Sequence, residues 1–210
     1  MDATNEGPCT WPGQDALMRC YHDEEWGVPV HDDRLWFEYM VLDAFQAGLS
    51  WRTVLHKRET LRRVFHGFEP GRVAAMTPSE LEHARTNPAI IRNRLKIQAA
   101  VRNAEAFLNL QARHGSFDAY IWSFTAGHTI TNHWRSMSDV PAATPLSDEV
   151  SRALRAAGFS FVGSTICYAF LQAGGVVNDH LVGCPRHDEV AVRGRATHGD
   201  ASGAARPRHR

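Results

Sequence analysis

Four residues with metal-binding side chains stand near the two ends of the chain. His180 and Cys184 lie one helical turn apart, while Cys9 and His22 lie thirteen residues apart near the other end. Imidazole nitrogen and thiolate sulfur are the usual protein donors to zinc, and a Cys2His2 set would be tetrahedral, closed and therefore structural. Spacing alone leaves two further possibilities open: a catalytic zinc with one open position, or two separate buried His/Cys pairs with no metal.

Asp43 is the second unusual residue. It falls on a helix expected from Asp33 to about Ala47, with Leu35, Tyr39 and Leu42 on one apolar stripe and Trp36, Met40 and Ala47 on the next. So wide an apolar arc marks a largely buried helix. A carboxylate there costs several kcal/mol unless it is paired, hydrogen-bonded or protonated. Tyr21, Trp26, Trp36 and Trp51 gather near it in sequence. An acid beside flat aromatic faces suits a planar cation, through charge pairing and cation–π attraction. The bland alternatives are a salt bridge or a cap to a neighbouring loop for Asp43, and a place in the core for each tryptophan.

Two stretches could meet an extended polyanion. Gln46-Ala47-Gly48-Leu49-Ser50-Trp51 puts Leu49 at the tip of a glycine-containing loop. Ser147 to Ala173 reads as two helices joined by a tight turn, the first capped by Ser147 and ended at Gly158, the second opening at Ser164-Thr165. Phe159, Phe161 or both would plug the corner. Gly163 and the free amides of Ser164 and Thr165 would form a phosphate site at a helix N-terminus; an ordinary helical corner is the competing reading.

The remaining elements are all helical in pattern. Asp15 to His22 is a short helix with Leu17 and Tyr21 on one side. Trp51 to about His66 carries Arg52, Lys57, Arg58, Arg62 and Arg63, with Val54, Leu55, Leu61 and Phe65 inward. Thr77-Pro78-Ser79-Glu80 is a capping box. A long helix runs from about Ala89 to Arg113, with Arg92, Arg94 and Lys96 extending a basic face, and Phe117 to Phe124 forms one more. Residues 125–146 read as a long loop. No alternating run of strand type occurs, so the expected class is all-α.

The 210 residues suffice for one good core. Net charge is zero, yet residues 1–51 hold two Arg against ten Asp or Glu, and residues 52–113 hold twelve Lys or Arg against five Glu. Segregated charge of this kind can give a neutral protein a basic face. No apolar run approaches the ~20 residues of a membrane span, and Met1 to Pro12 has no secretory apolar core, so a cytoplasmic protein with reduced thiols is expected. Residues 1–8 and 186–210 are expected to be disordered, flanking one domain from 9 to 185.

Taken together, several ordered motifs resemble the 3-methyladenine DNA glycosylase I family. They are Cys9-x-Trp11, Tyr21-His22-Asp23-x-Glu25-Trp26-Gly27-Val28-Pro29, Gln46 to Trp51, Gly158-Phe159-x-Phe161-Val162-Gly163-x-Thr165-Ile166-Cys167-Tyr168 and Asn178-Asp179-His180-x-x-Gly183-Cys184. The resemblance implies a helix-hairpin-helix glycosylase fold in which a structural zinc, held by Cys9, His22, His180 and Cys184, snaps the termini together. It implies excision of 3-methyladenine from alkylated double-stranded DNA, with the free base as product. Because the two lysines, Lys57 and Lys96, lie in no motif, Schiff-base lyase activity is not expected, and a monofunctional, monomeric hydrolase of the N-glycosidic bond is. Asp43 would be the pocket acid, with Tyr21, Trp26 and Trp51 around the base. The Gln46, Gly48 and Leu49 loop would fill the gap left by the flipped nucleotide. Gly163, Ser164 and Thr165 would grip phosphate, while Lys57 or Arg58 adds nonspecific attraction.

One departure from the family pattern stands out. The family usually has Glu where this chain has Asp43, and Ala44-Phe45 also differ, which points to altered pocket contacts or lesion preference. Asp179 is expected to support His180 from behind. Two rivals remain: a protein that binds alkylated bases in DNA without excising them, and a zinc hydrolase of small molecules.

Overall fold

The computed structural model describes residues 7–196. Helices dominate. In chain order they are α1 (Ala16–Glu24), α2 (Asp33–Gln46), α3 (Trp51–Leu55), α4 (Arg58–Val64), α5 (Pro70–Ala74), α6 (Pro78–Thr86), α7 (Arg94–His114), α8 (Phe117–Ser123), α9 (Pro145–Ala156), α10 (Ser164–Ala173) and α11 (Pro185–Ala196), with a 3-10 turn at His66–Phe68. Among the described residues no helix is long and apolar enough to cross a membrane.

Helix α2 is the axle. Residues 36–45 are all buried, and the helix packs against α7, α10, α3 and α8. Burying a large apolar side chain contributes about 1.5–3 kcal/mol, and Trp36, Phe37, Leu42 and Phe45 are wholly inside. Both ends of α2 are pinned. Asp33 at its start accepts from the backbone amides of Phe117 and Asp118 at 2.9 and 2.8 Å and from Gln111 Nε2 at 2.7 Å. At its end the ammonium of Lys96 donates to the carbonyls of Phe45 and Ala47 at 2.7 and 2.6 Å. Cations suit the last turn of a helix. Lys96 is therefore buried, not part of a basic surface.

Helices α9 and α10 pack against each other across a short connection. Gly158 takes φ +98, and the amide of Phe159 reaches back to the carbonyl of Leu154, the geometry of a Schellman stop. Phe159 is the corner plug, buried and facing Phe117 at 6.3 Å between centroids. Ser147 is not the cap of α9. Thr144 is, with Pro145 in the first turn, and Ser147 closes the capping box from three residues on. The Ser147 hydroxyl also meets that of Ser164 at 2.8 Å, joining the starts of the two helices. At the far end of α10 a Cβ on Gly174 would stand 2.0 Å from the Trp36 ring, so only glycine admits this approach to α2.

Several boundaries differ from those read in sequence. The helix expected over 51–66 is broken into α3 and α4, because His56 and Lys57 form a turn between them. The long helix starts at Arg94, capped by Asn93, and not near Ala89. Leu17 is exposed, and Met18 takes the inward position beside Tyr21. Within the expected loop, β1 (Ile130–Thr131) pairs in parallel with β2 (Val177–Asn178), a two-residue ladder in an otherwise helical protein. Residues 185–196 form α11, whereas disorder was expected from 186; residues 1–6 and 197–210 lie outside the described residues.

Candidate active site and metal cluster

Cys9, His22, His180 and Cys184 converge. Their four donor atoms lie within 4.8 Å of one another, a set that could hold a metal ion. Cys184 Sγ stands 3.7 Å from both His22 Nε2 and His180 Nδ1, and Cys9 Sγ stands 3.8 Å from His180 Nδ1. The outward ring nitrogens are also engaged. His22 Nδ1 meets Asp23 Oδ1 at 2.6 Å, and His180 Nε2 donates to the Trp26 carbonyl at 2.9 Å. Outer contacts of this kind set the tautomer that points a lone pair at a metal. Burial lowers His180 to about 4, keeping it neutral, and pushes the Cys9 thiol up to about 12. A cation at the centre would have to displace the thiol protons.

Beside the cluster lies a cavity of about 280 Å³. Helix α1 supplies Tyr21, the turn after it Trp26, the N-terminal segment Trp11, α2 Asp43 and Gln46, α3 Trp51, and α10 Thr165, Tyr168 and Gln172. Met137 to Ala142 of the long connection complete the rim. Tyr21 and Trp51 lie 5.0 Å apart between centroids with planes at 48°, and Trp11 meets Trp26 edge-on at 5.2 Å.

Asp43 is 2% exposed, and its Oδ2 has no partner. Burial drives its carboxyl well above the usual range. The indole nitrogens of Trp11 and Trp51 are also buried without acceptors. Three orphaned polar atoms on residues around one cavity amount to an unfilled hydrogen-bond pattern, since buried polar groups are otherwise almost always paired. One of these atoms is an acceptor or acid and two are donors.

Of the aromatic residues singled out in sequence, Tyr21, Trp26 and Trp51 reach the cavity, whereas Trp36 belongs to the core. Gln46 and Thr165 line the cavity itself. Gly48, at φ +76, turns the chain, and Leu49 stands 41% exposed at the tip. Gly163 precedes α10 without a side-chain cap. Lys57 is half-buried, with its ammonium on the Ala89 carbonyl at 3.0 Å.

Arg58 is a correction. It was expected to face a polyanion, but its guanidinium turns inward to Glu25 Oε1 at 2.7 Å and Glu38 Oε1 at 2.6 Å, and sits over the Tyr39 ring at 5.8 Å. The two acids come from α1's end and α2, so the charge is neutralised within the fold. Asp179 is a second correction. It takes no bond from His180; its partners are Asn132, Trp134, Tyr168 and Gln172.

Trp11, Tyr168 and Gln172 line the cavity, although sequence reasoning gave none of them a place in it and named the first two only within the family motifs. Trp11 sits two residues from a metal-type cysteine, and Tyr168 and Gln172 lie four apart on α10, which is the only local signal they carry.

The sequence matches the methyladenine glycosylase family over residues 11–187. It is 47% identical over 176 residues to DNA-3-methyladenine glycosylase 1 of Escherichia coli strain K12, covering 84% of this chain and 94% of that relative. The fold is similar to the crystal structure of a 3-methyladenine DNA glycosylase I, with TM-score 0.83 and 48% identity over 86% of this chain and 99% of that one. It is also similar, at 33% identity and TM-score 0.83 over 87% and 97%, to a variant of 3-methyladenine DNA glycosylase I in complex with 3-methyladenine.

Proposed function

The chain belongs to the methyladenine glycosylase family, and from that premise we propose how the cavity around Asp43 serves its activity. The protein is a DNA-3-methyladenine glycosylase, a hydrolase that releases 3-methyladenine from alkylated DNA. The observation that carries the site reading is Asp43, which lines one cavity with Trp11, Tyr21, Trp26 and Trp51 and whose buried Oδ2 has no partner in the protein.

Methylation at N3 makes the adenine cationic, weakens its glycosidic bond and lets it leave as a neutral base. Little chemical assistance is then needed beyond extracting and recognising that base. In the proposed sequence Leu49 enters the stack from its exposed tip, and the nucleotide swings into the cavity. The helix-hairpin-helix formed by α9 and α10 grips phosphate through the amides of Gly163, Ser164 and Thr165, while Lys57 and Gln46 support the approach. The base lies against Trp51, Tyr21 and Trp26. Asp43, protonated in the empty cavity by burial, becomes a carboxylate facing the cation or accepts from its amino hydrogens. Water attacks the sugar carbon as the bond breaks.

Monofunctional hydrolysis, without a Schiff base, is supported by the two lysines. Lys57 is engaged with the Ala89 carbonyl and Lys96 with those of Phe45 and Ala47. Asp43 in place of the longer Glu shortens the acid's reach and is proposed to adjust lesion preference.

The metal we infer is zinc, held by Cys9, His22, His180 and Cys184 in a structural role. Tetrahedral zinc places sulfur and nitrogen donors roughly 3.3–3.8 Å apart, and the distances of 3.7–3.8 Å within the cluster fit that spacing. Such an ion supplies only cross-linking of the chain ends. A monomer acting on duplex DNA in the cytoplasm completes the proposal. The decisive experiment measures bases released from methylated duplex DNA by the wild type and by Asp43→Asn. Release of 3-methyladenine by the first and a large loss in the second support the site; equal release by both removes Asp43 from it.

A further inference from the structure

A fully buried carboxylate beneath the cavity controls which way its hydrogen bonds run. Asp179 is 0% exposed. Its Oδ1 accepts from Asn132 Nδ2 at 2.7 Å and Trp134 Nε1 at 2.8 Å, and its Oδ2 from Gln172 Nε2 at 2.7 Å and the Tyr168 hydroxyl. Four donors fill the acceptor sites of a carboxylate, which leaves none for activating a water. Two of those donors, Tyr168 and Gln172, belong to residues that line the cavity.

A carboxylate in this state can only accept. The amide of Gln172 must therefore turn its nitrogen towards Asp179, so its orientation follows from chemistry. The group left over is Oε1, which no protein donor reaches among the described residues. Tyr168 likewise gives its one proton to Asp179 and keeps only acceptor capacity. The main chain of Gln172 is held as well, its carbonyl accepting from the Gly27 amide at 2.9 Å.

We propose that Gln172 is a specificity-determining residue and Asp179 its positioning residue: the Gln172 carbonyl accepts from the 6-amino group of a methylated adenine and disfavours the 6-oxo group of a methylated guanine. The proposal rests on the glycosylase reading of the same cavity. Adenine presents a donor at position 6 and guanine an acceptor. Positive charge on the N3-methylated ring spreads into the amino group and strengthens that donor. Two acceptors forced together in a closed site are penalised, whereas a matched pair is rewarded.

The test follows 3-methyladenine and 3-methylguanine released from one methylated duplex by the wild type, Gln172→Leu and Asp179→Asn. Gln172→Leu should lower kcat/KM for 3-methyladenine about tenfold and that for 3-methylguanine much less, so that their ratio falls. Asp179→Asn puts a donor where an acceptor stood, lets the amide turn over, and should lower the ratio in the same direction. Should that buried variant fail to fold, Gln172→Leu at its half-buried position decides alone. Equal losses for both bases would mean that Gln172 only packs, and the proposal would fall while the glycosylase reading stood. No base released by the wild type would overturn that reading and this proposal with it.

Discussion

His180 donates its Nε2–H to the carbonyl of Trp26 at 2.9 Å, and the two rings stand 4.7 Å apart between centroids. The same indole is a wall of the cavity. The Cys/His cluster and the cavity therefore share a residue. Trp11, two positions after Cys9, repeats the pattern, with its ring edge-on to His22 at 5.5 Å while it also lines the cavity.

Removing the metal should consequently damage folding and base binding together. A loss of a few kcal/mol would lower Tm by roughly 6–12 °C in a domain of this size. Calorimetry with and without a strong chelator, followed by titration with free 3-methyladenine, checks both. A melting curve indifferent to chelation would separate the cluster from the fold.

Asp43→Asn should stabilise the empty protein at neutral pH while weakening base binding. The folded-state carboxyl is held well above its unfolded value by burial. Its stability is thus intact below the unfolded value of about 4 and is lost as pH rises through the folded one. An amide has no such penalty. The Tm difference between variant and wild type should be near zero below pH 4 and positive at pH 8, by an amount worth about 1–3 kcal/mol. A difference independent of pH would contradict the buried, unpaired acid.

Leu49→Ala should separate extrusion from recognition. Leu49 stands outside the cavity lining and is 41% exposed. Release from duplex DNA should fall about tenfold or more, with the affinity for free 3-methyladenine unchanged. Parallel losses in both assays would place Leu49 in the pocket instead.

Lys96→Met should loosen the end of α2. The carbonyls of Phe45 and Ala47 would lose their shared ammonium, and each unpaired buried acceptor costs about 1–3 kcal/mol. Urea unfolding should show a loss of about 2–4 kcal/mol. Those carbonyls flank Gln46, so duplex excision should also fall beyond what the stability change explains. A variant as stable as the wild type would show that water replaces the ammonium freely.

Much of the site was readable because it is encoded over short distances. The apolar stripes of α2 placed Asp43 inside a helix, and the glycine at 158 marked the end of α9. Paired His and Cys residues at both ends identified the cluster once the family resemblance joined them. The cap of α9 was misread: it is Thr144, and Ser147 lies three residues inside the helix. Proline at 145 is the feature that should have moved the cap to Thr144, since it favours the first turn.

What the sequence by itself determined is the helical class, the principal helices such as α2, α7 and the α9–α10 pair, the burial of Asp43 and the identity of the four metal-type residues. These depend on periodicity, capping and residue chemistry within a few positions. Only the tertiary structure decided where long charged side chains go. Arg58 meets Glu25 and Glu38, and Lys96 meets carbonyls 51 and 49 positions away. A flexible cation has no direction of its own; it follows whichever acceptors packing brings within reach. The same holds for Trp11, Tyr168 and Gln172, which join one cavity because the N-terminal segment and α10, far apart in sequence, meet there.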